Sequence, residues 1–219
     1  MADQQVEIDG PSTTARDDSL RMAIRLEYLT VGWNVIEGAV AVTAALAAGS
    51  VALLGFGLDS FVESSSGLIL LWRLSKERRA TDASEDEIAQ LDRRAQRLVG
   101  ATLLLLALYI AVDASMALWN VERPDVSFVG LALVTVSIAV MRWLAKAKAR
   151  VARALGSRAL EADSFQTLAC WWLSVVTLVG LGLNAALGWW WADSVSALAI
   201  SAFVLREARE AWRGEACGC

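Results

Sequence analysis

Asp59 and Glu63 stand four residues apart inside an otherwise apolar stretch of a 219-residue chain. On a helix that spacing puts both carboxylates on one face. Each would cost about 2.5 kcal/mol or more in hydrocarbon on an insertion scale, so the pair must face a bundle interior or a water-filled cavity. Ionised together, the two repel. A divalent cation relieves the repulsion and so does a shared proton, which is the competition a cation/proton exchanger needs. The same pair also fits a purely structural role, a hydrogen-bonded polar core that holds helices together.

Further polar groups lie in neighbouring apolar stretches. Asn34 and Glu37 are three residues apart, Asp113 stands alone in a later stretch, and Asp163 and Asp193 fall near the starts of two more. All five are candidates for accessory or proton-coupling roles, and Asp193 fits a helix N-cap equally well. Gln166 and Cys170 repeat the four-residue spacing and form a second facing pair. A single buried cysteine usually packs as a small hydrophobe; the shared spacing makes these two candidate metal ligands. The chain holds no histidine, so a transition-metal site must draw on carboxylate, thiolate, amide or backbone oxygen. Cys217 and Cys219 form a flexible CxC tail, suited to capturing a soft metal or to no role at all.

No P-loop, HExxH or nucleophile elbow occurs, which argues against an enzyme or ATPase and for transport driven by an existing ion gradient. Gly55 and Gly57 precede Asp59 in a GxGxD pattern without the βαβ context of a dinucleotide site, so they read as close-packing or bending positions.

These groups need helices in a membrane to hold them. Apolar residues make up 56% of the chain and mean hydropathy is +0.46. Six spans are expected, at residues 28–48, 51–72, 98–119, 128–144, 160–187 and 190–205, each near the roughly 20 residues a bilayer requires. Nineteen of the 20 Lys and Arg residues then lie on one side and only Arg123 on the other, which places both termini in the cytoplasm of a bacterial-type inner membrane. The basic residues read as topogenic charges beside anionic lipid, not as a nucleic-acid surface. Residues 1–20 lack a signal-peptide core and read as a disordered cytoplasmic tail; 21–213 form the six-helix transport domain and 214–219 the cysteine tail. Ser84 and Glu87 resemble a capping box, so span three is expected to begin as a longer helix projecting from the membrane. Residues 146–158 read as a basic amphipathic linker. Trp189, Trp190 and Trp191 mark an outer interface.

The stretch Ser50 to Glu63, SVALLGFGLDSFVE, resembles the cation diffusion facilitator family, with support from Ala162 to Cys170, ADSFQTLAC, and Ala192 to Leu198, ADSVSAL. Members usually move zinc or related divalent ions out of the cytoplasm in exchange for protons. The resemblance covers roughly residues 21–213 and implies Asp59, Glu63, Gln166 and Cys170 as metal ligands, a transported divalent cation and no resident cofactor. Where the family usually has His and then Asp on span five, this chain has Gln166 and Cys170. A mixed oxygen and sulfur set admits zinc, cadmium or iron and leans towards thiophilic ions. Family members commonly carry a cytoplasmic ferredoxin-like domain after span six. The sequence given ends soon after that span, which implies a short form whose homodimer is held by its membrane helices. The rival reading is a membrane metal sensor or assembly module that binds with the same ligands and transports nothing.

Overall fold

A computed structural model describes residues 13–79 and 85–213 as six α-helices in one bundle. The helices are α1 (Thr13–Ala48), α2 (Val51–Arg79), α3 (Glu85–Trp119), α4 (Phe128–Leu155), α5 (Arg158–Leu187) and α6 (Trp190–Arg213). Among the described residues, four carry stretches long and apolar enough to cross a membrane: Asp17–Ala48, Val51–Trp72, Phe128–Leu155 and Asp163–Leu187. α3 adds a shorter apolar stretch, Leu103–Trp119.

Each sharp turn has a chemical cause. Gly49, Gly156 and Gly188 take φ values of 66°, 63° and 66°, the left-handed conformation that ends a helix cheaply only at glycine. Ser127 and Ser157 open α4 and α5 by accepting hydrogen bonds from Gly130 N at 3.0 Å and Leu160 N at 3.4 Å. The connection between α3 and α4 docks on its neighbours: Asp125 N donates to Ala48 O at 2.8 Å, and Asn184 Nδ2 donates to Pro124 O at 3.0 Å. The ends of α1, α3 and α5 thus gather at one end of the bundle.

Several expected boundaries move. α1 already begins at Thr13, inside the stretch expected to be a tail, and α3 begins at Glu85, as the long-helix expectation required. Residues 146–155 continue α4 as helix instead of forming a linker, because Lys146 to Leu155 contains no breaker before Gly156. Residues 1–12, Ser84 and the tail cysteines Cys217 and Cys219 lie outside the described residues.

α1 packs along α2, α3 along α6 and α4 along α5. The α1–α2 crossing is close because Gly38 and Gly57 face one another; a Cβ on Gly57 would sit 2.9 Å from the Ala41 Cβ. Gly55 instead admits Ile110 of α3. An apolar core of Ala52, Leu53, Phe56, Ile110, Val134, Leu173 and Ile200 joins all but α1 of the helices, and Ala41 and Ala45 bring α1 into it. Outward, α3 exposes Leu105, Leu108, Tyr109, Val112, Met116 and Trp119 as a continuous apolar exterior. Trp189 and Trp191 stack with ring centroids 5.2 Å apart at the α5–α6 turn.

Candidate cation site between α2 and α5

Three lines of buried polar residues meet inside the bundle. On α1 they are Glu27, Thr30, Asn34 and Glu37; on α2, Asp59, Ser60, Glu63 and Ser64; on α5, Asp163, Thr167, Cys170, Ser174 and Thr177. The spacing of three and four residues places each set on one helix face. Hydroxyl groups in these lines mostly turn back to their own helix, as with Ser64 to Ser60 O, Thr167 to Asp163 O and Ser174 to Cys170 O. That leaves the carboxylates, the thiol and Asn34 to face one another.

The Cys170 thiol donates to Asp59 Oδ2 across 3.6 Å, joining α5 to α2. Neighbouring ligands in a tetrahedral zinc site, with Zn–S about 2.3 Å and Zn–O about 2.0 Å, lie about 3.5 Å apart. The sulfur and oxygen are therefore already spaced as two ligands of one ion. Glu63, one turn along α2, faces the Cys170 thiol and the Asn34 amide as its nearest donors, yet among the described residues neither of its oxygens has a donor at full hydrogen-bond distance. Both polar atoms of the Asn34 amide and one Glu37 oxygen are likewise buried without a partner. The other Glu37 oxygen accepts from Ser60 Oγ at 3.3 Å. A buried carboxylate without a donor is costly, so the cluster is short of positive charge, and a proton or a cation supplies it. Among the described residues, however, no three His, Cys, Asp or Glu side chains close around a single point as metal ligands do.

The remaining expected residues fall in different places. Gln166 is half-buried at the edge of the α5 polar line, whereas Asp59, Glu63 and Cys170 are buried. Asp113 is half-buried on α3 and joins none of them. Asp193 does cap a helix, but the helix is α2 and not its own: its carboxylate accepts from Ser50 Oγ at 2.5 Å and from Ala52 N at 3.3 Å, while Ser50 Oγ accepts from Leu53 N at 3.1 Å. The α6 carboxylate thus satisfies the exposed amides at the start of the helix that carries Asp59 and Glu63.

Asp163 belongs to a cluster of its own. Lys148 of α4 is fully buried and places its ammonium 3.1 Å from the Glu27 carboxylate of α1 and 2.5 Å from Asp163 Oδ2 of α5. Reading Lys148 as a topogenic surface charge is thus corrected, and Glu27 went unremarked as a site residue. The signal was present in the sequence: Val134, Ser137, Met141, Leu144, Lys148 and Ala152 recur at helical spacing along the buried face of α4.

With this geometry in place, similarity to known proteins decides the class. A family model described as the cation efflux transmembrane domain matches residues 29–213. The chain belongs to the cation efflux family. An uncharacterized transporter from Synechocystis is 30% identical over 187 residues, an alignment covering 84% of this chain and 57% of that protein. The chain thus spans little more than half the length of this curated relative. Membership in the cation efflux family supports a transporter over an enzyme, and family and relative together point to a bacterial multi-pass membrane protein of the inner membrane.

Proposed function

We propose that this cation efflux family member exports a divalent cation, zinc or a related transition metal, in exchange for protons, with Asp59, Glu63 and Cys170 as its principal ligands. The observation that carries the reading is the Asp59–Cys170 approach at 3.6 Å beside the unpartnered Glu63 carboxylate. Two carboxylates and a thiol bind either protons or a metal ion at the same atoms, so occupancy by one expels the other. Gln166, one turn before Cys170, supplies a fourth oxygen once α5 turns slightly towards α2. Asn34 and Glu37 sit beside the ligands and serve proton passage; Asp113 and Asp163 stand as accessory groups farther off.

In this reading all six helices cross the membrane and both termini lie in the cytoplasm, which puts the Lys148 end of the seam inside and the Trp189–Trp191 end outside. Alternating access comes from rocking of helices about a midplane site. A homodimer, if formed by the described helices, uses their lipid-facing surfaces, and Cys217 and Cys219 offer thiols on the loading side. The test is zinc flux in sealed proteoliposomes under an imposed pH gradient, with internal pH recorded. Wild type should move zinc and protons in opposite directions, and Asp59→Asn should move neither. Saturable zinc binding with no flux by oriented, folded protein would replace the exporter by a sensor built on the same ligands.

A further inference from the structure

The Glu27–Lys148–Asp163 cluster is not needed to build the ligand set, yet it lies on the same polar seam. A Cβ placed on Gly67 of α2 would be 3.6 Å from Glu27 Oε2, and Gly67 is one helical turn from Glu63. Asp163 is seven residues before Cys170 on the same face of α5, about 10 Å along the helix. Glu63 itself lies within electrostatic reach of the Lys148 ammonium. From Glu27 and Asp163 to Asp59, the seam therefore offers carboxylates at successive turns.

The cluster also has a charge count of its own. Two carboxylates, from α1 and α5, bracket one ammonium, so with both ionised one negative charge is left for a proton or a cation of higher valence to offset, in a place where Lys148 and Glu27 have no solvent contact. A monovalent ammonium leaves that excess in place, whereas a divalent ion cancels it. An oxygen-only pair suits a divalent cation that accepts carboxylate ligands. Lys148 reaches the pair on a flexible four-carbon stem, and Glu63 lies within electrostatic reach of its ammonium as an alternative partner.

We propose that Glu27 and Asp163 form a second cation station on the seam, held in this conformation by Lys148 as a tethered cation that an entering divalent ion displaces. This rests on the reading of the seam as the ion's route. The ion displaces the ammonium from Glu27 and Asp163, the ammonium turns to Glu63, and its return releases the ion to Asp59, Glu63 and Cys170. Lys148 is thereby a positioning residue that keeps the station from trapping its cargo.

The test is manganese binding to the purified full chain in detergent, read from the electron paramagnetic resonance signal of unbound Mn2+. Manganese favours oxygen ligands, which separates the station from the thiol-containing site. Lys148→Met should bind manganese at least about tenfold more tightly than wild type and gain thermal stability from it, and adding Glu27→Gln with Asp163→Asn should remove the gain. No gain in folded Lys148→Met, or a gain that survives in the triple variant, would overturn the proposal. Should Lys148→Met fail to fold, Glu27→Gln serves, because it retains the Lys148–Asp163 pair. It should raise the half-saturating cation concentration for flux about tenfold, with Glu27→Asp restoring the wild-type value; unchanged half-saturation in Glu27→Gln would overturn the station. Manganese gain in Lys148→Met together with absent wild-type flux would retire the efflux reading and leave the station standing.

Discussion

Two buried charged clusters share α5 and the interior of this bundle, and they differ in what they lack. Around Lys148, Glu27 and Asp163 meet a cation that the chain itself provides. Around Cys170, Asp59 and Glu63 meet weak donors or none at full hydrogen-bond distance, and among the described residues no ion pair closes on them, which leaves room for a proton or a cation from outside the chain. The first arrangement ties helices together and the second leaves an affinity unspent. Breaking a buried pair strands a charge, whereas neutralising one of two facing carboxylates removes a repulsion. Stability and function should therefore respond in opposite senses at two places separated by only two turns of α5.

The sharpest separation is expected from the charge-neutralising variants of the second cluster. Asp59→Asn or Glu63→Gln should lower cation flux at least about a hundredfold while leaving the thermal midpoint in metal-free detergent unchanged or higher. A large loss of stability in either would make the cluster a structural polar network. Lys148→Met should do the reverse in metal-free protein, costing about 3–5 kcal/mol through two stranded carboxylates, measurable as a depressed unfolding midpoint. A Lys148→Met protein as stable as wild type without metal would erase the contrast.

Two smaller effects refine the comparison. Asp193→Ala removes the acceptor for Ser50 and for the first amides of α2, and should cost about 1–2 kcal/mol of stability. Cys170→Ser keeps a polar atom but loses the soft ligand, and should shift preference in competitive flux from cadmium and zinc towards manganese by about tenfold. An unchanged cadmium-to-manganese ratio would remove Cys170 from the ligand set.

The helical bundle and its main carboxylate pair were legible in the sequence because both depend on local spacing. Apolar runs of the right length marked the helices, and the four-residue step from Asp59 to Glu63 fixed their common face. The turn at Gly49 fell between two expected spans, whereas Gly156 lay inside the stretch expected to be a linker. What the sequence hid was partnership across the bundle. Asp193 looked like a cap for its own helix, yet the amides it satisfies belong to α2, more than 140 residues earlier.

Lys148 was masked by its company. Among Lys146, Arg150 and Arg153 it read as one more charge beside the lipid, although its position on the stripe through Met141 and Leu144 pointed inward. Gln166 shows the converse case. Asp163, Thr167, Cys170, Ser174 and Thr177 centre the buried face of α5, and at 3.6 residues per turn Gln166 lies about 60° from that centre, at the edge where the structure leaves it half-buried. A four-residue spacing puts two residues on one side of a helix, but it takes the whole stripe to say which one points to the middle.

The most direct measurement on the central claim is a cobalt(II) titration of the purified protein, followed by thiolate-to-metal charge-transfer absorption in wild type, Asp59→Asn, Glu63→Gln and Cys170→Ser. The account predicts a saturable thiolate band in wild type that Cys170→Ser abolishes and that either carboxylate variant weakens at least about tenfold in affinity. A band that persists unchanged in Cys170→Ser would assign the thiolate to Cys217 or Cys219, and with Asp59→Asn and Glu63→Gln also binding as wild type it would contradict a cation site between α2 and α5.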